Sequence, residues 1–217
     1  MNCLERPLPG ILGGEADLDR LKRRDSSRLL VISDSHGHYQ AVEQIIKKQG
    51  PLCDALLFAG DGIWDIVQYV ENTFTSSRLR DALPPVVALV AGNGDGDEYR
   101  ITLPSDAAPE EAPGLSLTVP DRLIVQASGY QVFLTHGHRY SVDVSLDILL
   151  ASAHATACDI AIYGHTHIPF TEEVSHLTAL NPGSVSRPRG NSHPSCALLE
   201  LDSTRTQPIV RFIHVKA

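Results

Sequence analysis

The sequence predicts an α/β fold, on three observations. Short apolar runs of strand length alternate with segments whose apolar residues recur at helical spacing. The first half of the chain has the strand, loop, helix order of parallel βα units, whereas the second half has the closely spaced strands of hairpins. Several predicted strands end in a short loop that carries Asp, His or Asn beside Gly. A length of 217 residues is compatible with one such domain.

Three strands are predicted in the first half, at 29–32, 55–58 and 86–90. Each is a short apolar run of the kind found in strands that are buried on both faces. Helices are predicted between them at 39–49 and 63–70, where apolar residues recur at helical spacing. Two consecutive βα units followed by a third strand are typical of a parallel sheet.

Residues 97–120 contain four prolines together with Asp and Glu, a composition typical of a long exposed loop. One short strand at 115–119 is expected within this loop. Beyond it, strands at 123–127 and 131–135 predict a hairpin, and apolar residues at helical spacing predict a helix over 141–155. Further short strands are predicted at 160–163, 172–174, 177–180, 197–201 and 209–215.

Residues 1–27 differ from the rest of the chain because they are rich in Pro, Gly and charged residues. A short helix is expected around 16–24, but the composition favours a disordered, appended arm over a helix that docks a partner. We therefore expect an N-terminal arm over 1–27 and one folded domain over 28–217.

Composition argues against several classes of protein. A net charge of −8 and a pI near 5.6 argue against broad nucleic-acid binding, which requires clustered Lys and Arg. A small anionic substrate is compatible with this charge, because bound metal ions would supply local positive charge. No stretch reaches the roughly 18 apolar residues of a membrane span, and no signal-peptide run is visible. The four cysteines are far apart, so reduced thiols and a cytoplasmic location are expected.

The strongest functional signal is the set of polar residues at the predicted strand ends. In open α/β sheets such loops meet outside the carboxyl ends of the strands, so their side chains are expected to converge. Carboxylate, amide and imidazole groups form a mixed oxygen and nitrogen ligand set that suits Mn, Fe or Zn better than Ca or Mg. More ligands are available than one ion requires, which predicts two ions. The ligand candidates are Asp34, His36, Asp61, Asn93, His136, His165 and His167.

Each motif alone also has a simpler structural explanation. Residues 34–36 could cap a helix and leave a surface His, and residues 92–96 have the composition of a turn. The pairs His136/His138 and His165/His167 are more specific, because two His at such spacing are uncommon without a metal. The joint occurrence of all these motifs in one order, each at a strand end, is what favours a metal site.

Taken in order, these loops resemble the motif pattern of the calcineurin-like metallophosphoesterase superfamily, which runs D-x-H, GD, GN, H and GHTH. Residues 181–189 (NPGSVSRPR) resemble more narrowly the small bacterial and archaeal phosphodiesterases of the YfcE type. The resemblance covers the chain from residue 29 onward. It implies two stacked mixed β-sheets flanked by helices, a four-layer sandwich, and a metal-dependent phosphodiesterase. Without it, the residues indicate only the α/β class.

The resemblance also implies a ligand set for each of two divalent metal ions. Mn is the preferred metal, with Zn, Fe or Ni as alternatives, and the expected nucleophile is a hydroxide formed from water between the ions. Asp61 would bridge the ions, and Asp61 and Asn93 would act in catalysis. The first ion would bind Asp34, His36, Asp61 and His167, and the second would bind Asp61, Asn93, His136 and His165.

One position departs from the family pattern. Many members carry His directly after the Asn of the GN motif, and small phosphodiesterases often carry Cys, but this chain has Gly94. A side-chain proton donor is therefore missing at this position. The available substitutes are Asp95, His38 and His138. For His38 the simpler explanation is an exposed residue at the start of a helix. His138 is expected to be catalytic and to contact substrate, with a structural role as the alternative. Arg189 is expected to bind a phosphate oxygen, with an internal ion pair as the alternative.

Two other functions are compatible with the same pattern. The site could serve a phosphomonoesterase or a nucleotide hydrolase, because the pocket walls that select the substrate are not visible in the sequence. A non-catalytic scaffold is the other alternative, since the retromer subunit of this fold binds protein and has a degraded metal site. Intact ligand positions favour catalysis. The expected partner is a small phosphate ester, without nucleic acid or membrane, and a homo-oligomer is compatible with the resemblance.

Overall fold

The computed structural model of the protein describes residues 5–106 and 111–215. Its strands are β1 (Ile11–Leu12), β2 (Ser26–Ile32), β3 (Ala55–Phe58), β4 (Val86–Leu89), β5 (Glu98–Thr102), β6 (Gly114–Thr118), β7 (Arg122–Ala127), β8 (Tyr130–Thr135), β9 (Ile160–Ile162), β10 (Pro169–Val174), β11 (Leu177–Pro182), β12 (Ser195–Asp202) and β13 (Ile209–His214). Its α-helices are α1 (Glu15–Arg23), α2 (Tyr39–Gln49), α3 (Ile63–Thr73), α4 (Ser77–Ala82) and α5 (Asp147–Ala155), and short 3-10 helices occupy Gly50–Leu52 and His138–Tyr140.

The strands form two large sheets and one small one. The first sheet has the order β1-β4-β3-β2-β12-β13, the second has the order β10-β11-β9-β8-β7, and β5 pairs with β6. Strands β2, β3 and β4 are parallel in the first sheet, and β8, β9 and β11 are parallel in the second. The loops that carry the ligand candidates follow the carboxyl ends of these parallel strands, so the topology gathers them at one edge of the molecule.

Alternating side chains of β2 show how the layers are arranged. Leu29 and Val31 point into a core between the two sheets that includes residues of β8 and β9. Leu30 and Ile32 point the other way, into a core beneath α2 and α3. A third cluster packs α5 against the outer face of the second sheet. This order of helix, sheet, sheet and helix confirms the expected four-layer sandwich.

Most of the predicted elements are confirmed. Helix α2 and strand β3 have the predicted bounds, and β7 and β8 form the predicted hairpin. The helix predicted over 141–155 is shorter, because it begins only at Asp147. Val144, which contributed to the apolar pattern, is 84% exposed. The sequence did not predict α4, a helix of only 6 residues that begins with a Ser76 cap.

The short strand expected at 115–119 is confirmed as β6, but the expectation of a long exposed loop over the rest of 97–120 is wrong. Strands β5 and β6 pair in antiparallel register there, with Tyr99 opposite Leu117. The side chains of Tyr99, Ile101 and Leu117 are buried in the core beneath α3. These apolar residues alternate with exposed polar ones, which is the pattern of a sheet with one solvent-exposed face. The prolines and acidic residues of this segment obscured that pattern in the sequence. Residues 107–110 lie outside the part of the chain that the structure describes.

The expectation of a disordered N-terminal arm is wrong for residues 5–27. Strand β1 extends the first sheet, with Ile11 opposite Ala88 and Leu12 opposite Val87. Ile11, Leu12 and Leu21 are buried, and α1 lies close to the predicted position. The domain boundary at residue 28 stays a prediction.

Two further observations concern the chain outside the metal-binding loops. In the described parts of the chain, no helix combines the length and the apolar character that a membrane crossing requires. Cys53, Cys158 and Cys196 are buried free thiols, and burial raises the pKa of each of them. Their position in apolar surroundings is that of inert core residues.

The N-terminal segment is expected to contribute to the stability of the fold. Leu12→Ala should lower the free energy of unfolding by about 2–5 kcal/mol, because it removes a fully buried side chain and leaves a cavity. Leu8→Ala is the matched control, since Leu8 is 57% exposed. It should change the free energy of unfolding by less than about 0.5 kcal/mol. Urea unfolding followed by circular dichroism measures the free energy of unfolding of both variants. A change in Leu12→Ala as small as that in Leu8→Ala would show that β1 contributes little to stability.

Candidate metal centre

The polar loops of both sheets meet in one cluster. Ligand atoms of Asp34, His36 and His167 lie within 4.8 Å of one another, and so do ligand atoms of Asp34, Asp61 and His136. Asp34 and His136 are fully buried, and Asp61 and His167 are 4% exposed. Two groups of ligand type, which share Asp34, are therefore adjacent in the buried part of the site.

Each carboxylate has one oxygen that is held by the protein and one that faces the cluster. Asp34 Oδ2 accepts hydrogen bonds from Ser33 Oγ at 2.6 Å and from the backbone N–H of His165 at 3.1 Å. Asp61 Oδ1 accepts from the backbone N–H of Gly94 at 2.7 Å. The other oxygens, Asp34 Oδ1 and Asp61 Oδ2, are thus directed toward the imidazoles at fixed positions.

Two imidazoles are fixed in a single tautomer. His136 Nδ1 donates to the carbonyl of Ala59 at 2.7 Å, and His167 Nδ1 donates to the carbonyl of Arg187 at 2.7 Å. Since a carbonyl only accepts, both Nδ1 atoms carry the proton of the neutral ring. Nε2 of each neutral ring then presents a lone pair to the cluster. Backbone carbonyls that orient His in this way are typical of metal ligands.

Two of the inward-facing atoms have no hydrogen-bond partner in the part of the chain that the structure describes. Asp34 Oδ1 lies 3.2 Å from His167 Nε2, yet Asp34 Oδ1 and His136 Nε2 are buried without any hydrogen bond among the described residues. The Nε2 atoms of His36 and His167 are only 3.1 Å apart. Buried acceptor atoms that face one another are costly unless a cation lies between them. These residues therefore fit divalent metal.

Burial sets the charge state of the outer imidazoles. Burial lowers the pKa of His36 and that of His165, although neighbouring carboxylates act in the opposite direction. Burial also acts to lower the pKa of His167, but the adjoining carboxylate of Asp34 outweighs it and the pKa is raised. Neutral His36 and His165 at pH 7 are the forms that can bind a metal.

Five of the ligand candidates have left-handed backbone conformations. Their φ angles lie between 47° and 65°, and the residues are Asp34, His36, Asp61, His165 and His167. This region is uncommon for residues other than glycine and costs on the order of 1–3 kcal/mol each. Such conformations turn successive side chains of a short loop toward the same point, and their clustering here is typical of a functional site.

Two glycines allow the loops to approach these carboxylates. A Cβ atom on Gly92 would overlap Asp61 Oδ1, and one on Gly164 would overlap Ser33 Oγ beside Asp34. Any other residue would displace a ligand loop. The Gly residues that precede Asn93 and His165 are thus required by close packing around the site.

Asp95 holds the loops of two neighbouring strands together. One carboxylate oxygen accepts from the backbone N–H of Asp61 at 2.6 Å and of Gly92 at 3.0 Å. The other accepts from the N–H groups of Gly62 and Ile63 at 3.0 Å each. Because the Asp95 carboxylate accepts four backbone hydrogen bonds, its role is structural. This corrects the expectation that Asp95 could replace the proton donor that is missing at position 94.

The end of β11 and the residues that follow it hold the ligand loops in place by hydrogen bonds from the second sheet. Ser184 Oγ donates to the carbonyl of Asp34 at 2.7 Å, and Ser186 Oγ donates to the same carbonyl at 3.2 Å. Asn181 Nδ2 donates to the carbonyl of Gly164 at 2.7 Å. These bonds give the NPGS stretch a physical role, because they stabilise the strained loops at Asp34 and His165.

Two ligand candidates are less closely engaged. The ring of His165 lies 5.2 Å from that of His136, at the border of the cluster. Asn93 is exposed, in the loop that Asp95 holds. The geometry does not single out Asp61 as the residue that would bridge two ions. Both carboxylates are near the same imidazole, because His136 Nε2 lies 3.5 Å from Asp61 Oδ2 and 4.0 Å from Asp34 Oδ1. Metal ligation by each residue, and the bridging role of Asp61, stay predictions.

The remaining predicted residues lie around the rim. The ring of His138 is 5.4 Å from that of His136, and its buried Nδ1 has no hydrogen-bond partner among the described residues. His38 is an exposed residue at the start of α2, which was its simpler interpretation. The backbone N–H of Arg189 donates to the carbonyl of His167 at 3.1 Å, and its side chain is exposed.

Arg187 is a site residue to which the sequence analysis assigned no role. Its carbonyl orients His167, and its positive charge acts to lower the pKa of His36. Arg187 and Arg189 thus place two cationic side chains beside the cluster. The signal was present in the SRPR stretch, but the resemblance assigned a role only to the second Arg.

Comparison with known proteins identifies the family and relatives of the chain. The chain matches the calcineurin-like phosphoesterase superfamily domain over residues 28–204. It is 27% identical over 177 residues to the probable metallophosphoesterase YsnB of Bacillus subtilis, covering 81% of this chain and 85% of the relative. It is also 27% identical over 190 residues to the phosphodiesterase YfcE of Escherichia coli, covering 81% and 88%.

Solved structures show the same fold. A conserved uncharacterized protein of Streptococcus pneumoniae superposes with a TM-score of 0.63 at 24% identity, covering 88% of this chain and 91% of its own. Vacuolar protein sorting 29 of Cryptosporidium parvum superposes with a TM-score of 0.57 at 20% identity, covering 89% and 100%. At this identity the structural matches support the fold alone. The domain match over most of the chain establishes that the protein belongs to the calcineurin-like phosphoesterase superfamily.

Proposed function

We propose that the protein is a phosphodiesterase that hydrolyses small phosphate esters with two divalent metal ions. Superfamily membership and the phosphodiesterase and metallophosphoesterase names of its relatives support a metal-dependent phosphoester hydrolase. The proposed ligands are Asp34, His36, Asp61, Asn93, His136, His165 and His167. Mn is the proposed metal, with Zn, Fe or Ni as alternatives.

One observation carries the proposal. Asp34 Oδ1 and His136 Nε2 are buried, unpaired and aimed at the space that Asp61 Oδ2 and His167 Nε2 also face. A structural polar network would have paired these atoms with donors. Bound ions supply Lewis-acid charge and acidify a water molecule that can attack phosphorus.

The chain's own residues then position the substrate. The unpartnered Nδ1 of His138 lies beside the cluster, where it can hydrogen-bond a non-bridging phosphate oxygen. Arg187 and Arg189 supply positive charge near His36 and His167. A phosphate oxygen held from two sides keeps the phosphorus in line for attack. His138 is therefore proposed as catalytic and substrate-binding, and Arg189 as substrate-binding.

Metal-stripped protein is expected to hydrolyse bis-p-nitrophenyl phosphate only after Mn²⁺ is added, and faster than p-nitrophenyl phosphate. Asp61→Asn should abolish this activity, because it removes an inward-facing carboxylate between the two groups of ligands. Absorbance at the nitrophenolate band measures turnover, and elemental analysis of dialysed protein measures bound metal.

Asp81→Asn is the matched control, because Asp81 is an exposed carboxylate on α4. It should retain full activity and metal content. A bridge residue is expected to lose both ions on substitution, so Asp61→Asn and Asp34→Asn should be compared for bound metal. Unchanged metal content in Asp61→Asn would reject the bridging role. Absence of turnover with Mn²⁺, Zn²⁺, Fe²⁺ and Ni²⁺ would favour the scaffold alternative.

Asp95→Asn should weaken metal binding although Asp95 is not a ligand. The amide would direct N–H groups at two backbone donors, which would release the loops of Asp61 and Gly92. By analogy with residues that orient metal ligands, we expect metal affinity to fall about 10–100-fold. Calorimetric titration with Zn²⁺ measures the change.

Asp97→Asn tests whether the effect is specific to position 95. Asp97 is exposed and lies two residues further along the same loop. Its substitution should leave the affinity for Zn²⁺ unchanged. An Asp95→Asn protein that binds Zn²⁺ as tightly as the original would show that the loops are positioned without this carboxylate.

The cytoplasmic location and the homo-oligomer stay predictions.

A further inference from the structure

Trp64 is an exposed aromatic residue close to the metal centre. It is the chain's single Trp, and it is 63% exposed at the start of α3. Most large aromatic side chains are largely buried, and an exposed one often belongs to a binding surface. Trp64 follows Asp61 by three residues, so their Cα atoms are at most about 11 Å apart. The helix that carries Trp64 therefore begins directly after the loop of Asp61.

The indole is anchored on one side by Tyr99. Their ring centroids are 5.0 Å apart, at an angle of 75°. Tyr99 is 5% exposed, and its hydroxyl accepts from the backbone N–H of Gly96 at 2.9 Å. Burial raises the pKa of Tyr99 to about 12, so the hydroxyl stays neutral. Trp64 is thus tied to the loop that contains Asn93, while most of its surface stays in solvent.

The loop that contains Asn93 has no side chain at two positions, Gly94 and Gly96. A Cβ atom on Gly94 would meet only Asp61, 3.3 Å from Oδ1, and one on Gly96 would meet only Tyr99, 4.0 Å from the hydroxyl. Neither glycine has a positive φ, so backbone conformation does not require glycine there. Residues 94 and 96 therefore place no side chain beside Asp61 and Tyr99, and Tyr99 is in contact with Trp64.

We propose that Trp64 is a stacking platform for a planar aromatic group of the substrate, such as a nucleobase or an aryl alcohol. The inference rests on the proposed function, because it places the phosphate at the metal centre and the aromatic group over Gly94 and Gly96. An indole anchored by Tyr99 loses little freedom on stacking, which favours binding. The substrate class is therefore an aromatic or nucleoside phosphate ester, and Trp64 is a specificity-determining residue.

Fluorescence provides a test without turnover, since Trp64 is the only indole. Adenosine 5′-monophosphate, added to Zn²⁺-loaded protein and excited at a wavelength the base does not absorb, should quench the emission. Ribose 5-phosphate carries the same phosphate without a base and should not quench. Both should inhibit hydrolysis of bis-p-nitrophenyl phosphate competitively, with the nucleotide about 5- to 150-fold tighter, as expected for one stacked base.

Substitutions identify the residue responsible. Trp64→Leu should remove the nucleotide's advantage over ribose 5-phosphate in inhibition, whereas Trp64→Phe should retain part of it. Phe170→Leu is the control, because Phe170 is 37% exposed and follows His167 by three residues, as Trp64 follows Asp61. The inhibition ratio should be unchanged in this variant.

The outcomes separate the platform from the hydrolase. Equal inhibition by the two ligands without quenching would overturn the platform and leave the proposed function intact. Quenching by the nucleotide without any turnover would support the platform and count against the hydrolase. Emission that changes with protein concentration alone would assign Trp64 to a contact between copies of the chain and overturn the proposal.

Discussion

The structure depends on a cluster of buried acceptor atoms that face one another. Asp34 Oδ1 lies 3.2 Å from His167 Nε2 and 4.0 Å from His136 Nε2, and among the described residues neither Asp34 Oδ1 nor His136 Nε2 has a hydrogen-bond partner. In a low-dielectric interior such an arrangement is repulsive. The protein keeps it because the second nitrogen or oxygen of each group is bonded to the backbone or to Ser33. The positions of these side chains are thus set by bonds made outside the cluster.

This arrangement also explains where the backbone is strained. The ligand residues in left-handed conformations lie in the loops of four to six residues that follow β2, β3 and β9. The strain is offset by bonds from residues that are not ligands. Asp95 binds four backbone N–H groups in the first sheet, and Ser184 and Asn181 bind carbonyls of the ligand loops from the second.

The sequence predicts those parts of the fold that depend on local patterns. Strands β2 and β3, helix α2 and the strand-end ligands are visible because each is a short run with its own periodicity or motif. Strand β1 is not, because a two-residue strand is defined only by its distant partner β4. The same holds for Asp95 and Arg187, whose roles arise from bonds to residues 32–34 and 20 positions away. In β5 and β6, prolines and acidic residues outweighed the alternation of buried Tyr99 and Ile101.

The metal centre is also where the two sheets are joined at their carboxyl ends. His136 on the second sheet donates to Ala59 on the first, the N–H of His165 donates to Asp34, and Ser184 reaches the Asp34 carbonyl. The apolar core between the sheets is filled mainly by strand residues such as Leu29, Val132 and Ile160, and it reaches the ligand loops at Ala59. A cation held by ligands from both sets of loops would therefore stabilise this edge of the molecule, because it would bind only the folded arrangement.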